Sequence, residues 1–192
     1  MLASRMKKFL SGSLIALGAF AYLNTGGLAG AVLFAFGIIS IVKLQIPLYT
    51  GVAGTEIAFR EKADVLVWNI AGTLLASLLL LIVSKEAVIE NARQILAAKA
   101  ADGWLSVFVK AVMCGVIVDI SVFLSKKENN VLPLIFGIPL FILCGFNHSI
   151  ADVTYIVLGW HAGVSVFRVA LYYLLCVAGN YLGCNYRRFC IR

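Results

Sequence analysis

Gly145-Phe146-Asn147-His148-Ser149-Ile150-Ala151-Asp152 is a polar run set inside an apolar one. Val131 to Phe146 is almost wholly apolar, and Val153 to Trp160 resumes that character. Between Asn147 and Asp152 only Ile150 is a large greasy side chain. Ionisable residues placed at membrane depth are costly, and they face a protein interior or a water-filled path. The stretch therefore predicts a broken helix that lines a permeation site.

The surrounding composition agrees. Apolar residues make up 62% of the 192 and charged residues 13%, against about 45–50% and about 25% in a soluble domain. Mean hydropathy is +0.99. So little polar surface cannot solvate a globule, and the chain reads as one transmembrane domain over 1–192. The five cysteines, Cys114, Cys144, Cys176, Cys184 and Cys190, lie in or at the ends of apolar runs and form no CxxC pair. Neither a zinc site nor a redox motif is indicated, so no metal and no cofactor is expected.

Working outward gives six spans. The first runs from Phe9 to Leu23 and ends at the turn Asn24-Thr25-Gly26-Gly27. Its flanking Arg5, Lys7 and Lys8, with Ala19-Phe20-Ala21, also fit a cleaved signal peptide, but removing it would spoil the symmetry described below. The second, Leu28 to Val42, meets Lys43, Gln45, Pro47 and Leu48-Tyr49-Thr50-Gly51-Val52-Ala53-Gly54, where proline and glycines interrupt it. Arg60-Glu61-Lys62 marks an aqueous end before a third span from Val65 to Ser84. Lys85 to Asp102 is the one long polar connection and suits a surface helix. A fourth span covers Trp104 to Leu124 and carries Lys110 and Asp119. The fifth is the interrupted one, closed by Gly159-Trp160-His161-Ala162-Gly163, and the sixth runs from Val164 to Tyr186.

Six spans put both termini on one side. That side collects Arg5, Lys7, Lys8, Arg60, Lys62, Lys126, Lys127, Arg187, Arg188 and Arg192, while the other has Lys85, Arg93 and Lys99. The asymmetry predicts cytoplasmic termini in the inner (plasma) membrane. It also accounts for the net charge of +7 without a nucleic-acid partner.

The halves, about 1–84 and 103–192, share a pattern: a whole span, a broken span, then a span bearing Asn-x-x-Gly, at Asn69 to Gly72 and Asn180 to Gly183. Three spans per half means inverted repeats, whose discontinuous helices meet near the bilayer midplane at a substrate site. For Gly72 and Gly183 close helix packing is the favoured reading. Asn69 and Asn180 fit packing and pore lining equally well.

His148 is the sharpest candidate for chemistry, because an imidazole exchanges protons near physiological pH and the helix break places it at the midplane. A plain core histidine is the competing reading. Lys110 lies about two turns, roughly 10 Å, inside its span; it either snorkels to the interface or concentrates small anions in a vestibule. Lys43, Asp119 and Arg168 are further intramembrane charges that suit pairing with one another or with backbone.

These residues resemble the formate/nitrite transporters, which include formate, nitrite and hydrosulfide channels. The family's Gly-Phe-Glu-His-Ser-x-Ala-Asn is similar to Gly145–Asp152, and its Leu-Phe-Thr-Gly loop to Leu48-Tyr49-Thr50-Gly51. Lys-Gly-x-x-Cys-Asn is similar to Lys110-Ala111-Val112-Met113-Cys114-Gly115, and Gly-Asn-x-x-Gly is intact at Gly179 to Gly183. The resemblance implies an aquaporin-like protomer of a homopentamer in the lipid bilayer, passing small monovalent anions and protons, with one pore per protomer. It implies that His148 and Thr50 face each other at the pore centre, with constrictions at Leu48 and Tyr49 on one side and Phe141 on the other. Lys110 would draw anions in, and His148 would promote their protonation in transit. Asn147, Asp152 and Gly115 depart from the pattern, where the family has Glu, Asn and Asn, and so bear on substrate choice. The alternatives are an aquaporin-like conductor of neutral solutes, which lacks paired Asn-Pro-Ala boxes here, and a membrane enzyme or structural subunit, which lacks a ligand cluster or nucleophile–base pair.

Overall fold

The computed structural model describes residues 2–160 and 163–191. His161 and Ala162 of the expected closing turn, and Arg192 of the basic end, lie outside them. The described residues are helical and contain no strand: α1 (Leu2–Thr25), α2 (Gly27–Lys43), α3 (Tyr49–Val52), α4 (Phe59–Val83), α5 (Glu86–Ala101), α6 (Trp104–Lys127), α7 (Leu132–Leu143), α8 (Ala151–Leu158) and α9 (Val166–Cys190). Among the described residues α4, α6 and α9 are each long and apolar enough to cross a membrane, while α2 and α7 are shorter apolar helices. Twenty-five residues of helix rise about 37 Å, more than a hydrocarbon layer of about 30 Å.

The two breaks are built alike. In α2 the N–H of Gln45 donates to Val42 O and that of Ile46 to Ile41 O; in α7 the N–H of Gly145 donates to Ile142 O and that of Phe146 to Phe141 O. Each pair is a Schellman ending, which requires a left-handed residue after the helix. That residue is Gly145 at φ 65° in one case and Gln45 at φ 53° in the other. Glycine occupies this region freely, whereas glutamine is strained there.

The long helices pair as α1 with α4 and α6 with α9. Both pairs cross where side chains are missing. A Cβ on Gly72 would lie 1.9 Å from Phe9 O, and one on Gly183 would lie 2.1 Å from Val112 O. The packing role expected of these two glycines is thus the one they have. The reciprocal positions Gly12 and Gly115 sit against Asn69 O and Asn180 O.

Two expectations change at the ends of elements. The third span starts at Phe59, because Ala58 O accepts from the N–H groups of Glu61 and Lys62 and opens the helix there. Lys62 does not face water; it is 5% exposed and donates to Ala53 O at 2.7 Å. The Lys85–Asp102 connection is helical as expected, yet Val88, Ala92, Leu96 and Ala100 bury one face of α5, which packs on α8. Apolar spacing of four residues in an otherwise polar helix explains this docking.

Polarity is distributed inside out. Asn69, Thr73, Ser77, His148, Asp152 and Asn180 are buried, while Ile82, Leu105, Phe136 and Phe167 are each more than 70% exposed. Large outward apolar surfaces require a lipid or protein partner. The chain is a multi-pass membrane protein.

Candidate functional site

Each break is held by one asparagine from a long helix. Asn69 Oδ1 accepts from the N–H of Tyr49 at 2.7 Å, and Asn69 Nδ2 donates to Lys8 O and Pro47 O. Asn180 Oδ1 accepts from the N–H of Ser149 at 2.8 Å, and its Nδ2 donates to Ala111 O and Asn147 O. A broken helix leaves backbone groups that lipid cannot satisfy, and these amides satisfy them. These bonds commit the amides of Asn69 and Asn180 to backbone groups around the breaks, and neither residue lines the two cavities described next.

The fixed breaks bring Thr50 and His148 together. Thr50 Oγ1 lies 3.1 Å from His148 Nε2, and both residues are buried. His148 Nδ1 accepts from the N–H of Ala151 at 3.2 Å. With Nδ1 used as an acceptor, the hydrogen-bond network assigns the ring proton to Nε2, which then donates to Thr50 Oγ1. Phe141 stacks on the imidazole at 5.6 Å between ring centroids, with Phe34 edge-on to Phe141 at 6.0 Å.

A cavity approaches this pair from each side. On the side of the chain termini it measures about 580 Å³, is lined by Ile41, Leu48, Gly51 and Val122, and carries Lys43 and Lys126 with no lining carboxylate. On the α5 side it measures about 300 Å³ and ends on Phe141 and His148. The cavities share no lining residue: Leu48 lines the first, Phe141 and His148 line the second, and Thr50 lines neither. Tyr49 lines neither cavity, and its hydroxyl donates to Val177 O at 3.4 Å.

The α5-side cavity holds two lysines and two aspartates. Lys110 is paired with Asp102 at 2.6 Å. Asp152 accepts from the Tyr172 hydroxyl through Oδ2 and faces Lys99 Nζ through Oδ1 at 3.3 Å. Asn147 Oδ1 accepts from Lys99 at 2.8 Å, and its Nδ2 donates to Val107 O. Lys99, Tyr172 and Phe34 were not among the residues singled out from sequence. Lys99 sits on the helix read as surface, and its one legible signal was proximity to the buried stripe of that helix.

The remaining intramembrane charges are paired or capped. Asp119 binds Arg187 at 2.7 Å, Arg168 donates to Ala100 O and Asp102 O over the Trp104 ring, and Lys43 donates to Asn129 Oδ1 at 3.2 Å. No group of three or more metal-ligating side chains occurs among the described residues.

A model of the family described as formate/nitrite transporter matches residues 2–186. Two solved structures share the fold. A pentameric formate channel with formate bound superposes with TM-score 0.83 at 18% identity, covering 95% of this chain and 92% of that one. A formate/nitrite transporter family ion channel superposes with TM-score 0.84 at 17% identity, covering 96% and 86%. No curated protein sequence matches the chain significantly.

Proposed function

The chain belongs to the formate/nitrite transporter family, and we propose that it passes small monovalent anions such as formate, nitrite or hydrosulfide, protonated near His148. As a member of a transporter family it is not an enzyme. The observation that carries the reading is the buried Thr50–His148 hydrogen bond, with separate cavities of about 580 Å³ and about 300 Å³ beside it; in this reading Leu48, Phe141 and Phe34 form an apolar collar around the contact.

A bare anion loses its hydration between Leu48, Phe141 and Phe34, which is very costly, whereas its conjugate acid is neutral. The acid also fits the contact chemically. For formic acid the carbonyl oxygen accepts from His148 Nε2–H while the hydroxyl donates to Thr50 Oγ1, so both polar atoms stay satisfied when their mutual bond opens. His148 acts in this scheme as a donor. Nδ1 is committed to the Ala151 N–H, so the proton comes from the cavity side rather than through the ring.

The wider architecture belongs to the same proposal. One domain, residues 1–192, crosses the membrane six times in two inverted halves; the twin Schellman endings and the twin asparagine clamps support this. Both termini are cytoplasmic in the plasma membrane, on the side richer in lysine and arginine. The protomer assembles into a homopentamer, as in the pentameric formate channel of the same fold, and its exposed apolar faces suit lipid and neighbouring copies.

The test is flux in proteoliposomes for formate, nitrite, hydrosulfide, acetate and lactate across a pH series. Saturable flux that rises with proton supply is expected. Absence of flux for every anion refutes the reading. A second reading, a channel for neutral solutes, draws on the balanced charge of the α5-side cavity; swelling in glycerol or urea without formate flux would favour it.

A further inference from the structure

We propose that Lys99 is the residue that binds the permeating anion at the floor of the α5-side cavity, and that Asp152 is a built-in competitor for it. This rests on the anion-channel reading and names a specificity-determining pair within it. Lys99 Nζ has three N–H groups and three oxygen neighbours: it donates to Phe146 O at 3.2 Å and Asn147 Oδ1 at 2.8 Å, and lies 3.3 Å from Asp152 Oδ1 as an ion pair. The first two are fixed, because Phe146 is part of the α7 ending and Asn147 is anchored to Val107 O. The third is weaker in geometry. Asp152 Oδ1 makes no hydrogen bond, although the residue is 1% exposed.

Asp152 does not depend on Lys99 to stay in place. Its Oδ2 accepts from the Tyr172 hydroxyl and from Cys176 Sγ, both on α9. A small carboxylate or nitrite entering the cavity therefore takes the third position on Lys99 from an oxygen that is already under-bonded, and Asp152 remains held by Tyr172. Lys99 side-chain exposure is 12% and that of Asp152 is 2%, so this exchange takes place largely out of water, where charge interactions are strong. Lys110 and Asp102 are 34% and 25% exposed; that pair is better screened and weaker as an anion site. Lys99 lines the same cavity as His148 and Phe141, so the site lies at the entrance to the collar.

The experiment is the half-saturation concentration for formate influx in proteoliposomes made with wild type, Asp152→Asn, Lys99→Gln and Asp102→Asn, each checked for native assembly by size exclusion. Asp152→Asn removes the competitor and is expected to lower the half-saturation at least about fivefold, a coupling near 1 kcal/mol. Lys99→Gln is expected to raise it by a similar factor, and Asp102→Asn, which changes the cavity charge by the same amount as Asp152→Asn, is expected to act less. An unshifted half-saturation in Asp152→Asn, or equal shifts in Asp152→Asn and Asp102→Asn, overturns the proposal. If Asp152→Asn does not assemble, an unshifted Lys99→Gln overturns it equally. Wild type without flux of any anion removes the channel reading itself, a result separate from these.

Discussion

Asn180→Ala tests whether the α9 asparagine is a scaffold or a pore residue. The substitution leaves the Ser149 N–H buried without an acceptor and removes two donations, to Ala111 O and Asn147 O. An orphaned buried donor costs about 1–3 kcal/mol, and interhelical hydrogen bonds in membranes average about 0.6 kcal/mol each. The sum is about 2–4 kcal/mol, which lowers the thermal midpoint by roughly 5–15 °C in a chain of this size. Asn69→Ala removes the matching set from the other break and is expected to cost the same within about 1 kcal/mol. The assay is the thermal midpoint in detergent by intrinsic fluorescence, alongside formate flux per assembled protein. Asn180→Ala with an unchanged midpoint and abolished flux refutes the scaffold assignment and returns Asn180 to the pore.

Four further outcomes follow from the structure. His148→Phe keeps the stack on Phe141 but removes Nε2–H and the acceptor of Ala151 N–H; formate flux in proteoliposomes is expected to fall about tenfold, the loss of one donor near 1.4 kcal/mol, with assembly retained on size exclusion. Gly145→Ala puts a Cβ on the left-handed residue that ends α7 and is expected to destabilise by about 1 kcal/mol in thermal melts. Gln45→Gly relieves the equivalent strain at the end of α2, offset by chain entropy, and is expected to stabilise by up to about 1 kcal/mol in the same melts. Asp119→Ala leaves the Arg187 guanidinium, 18% exposed, without its carboxylate; a loss of about 3 kcal/mol is expected, read as a lower thermal midpoint.

The sequence by itself determined what depends on local composition. An apolar fraction of 62% requires a membrane, and the proline and glycines of Pro47–Gly54 and the polar run Asn147–Asp152 each mark a break in an apolar span. The spacing of Asn-x-x-Gly marked both clamps, since a glycine one turn from an asparagine is a local pattern with a packing consequence. Only the tertiary structure decided which backbone groups the amides of Asn69 and Asn180 meet, because those partners come from other helices and from the breaks. Lys99 was illegible for a similar reason. It stands 48 residues before Asn147 in a polar helix, and nothing local says that helix turns its buried stripe onto α8. The tautomer of His148 likewise depends on two partners, Ala151 and Thr50, the second 98 residues away. Charges pair and imidazoles choose protons by distance in space, and chain order alone does not carry that distance.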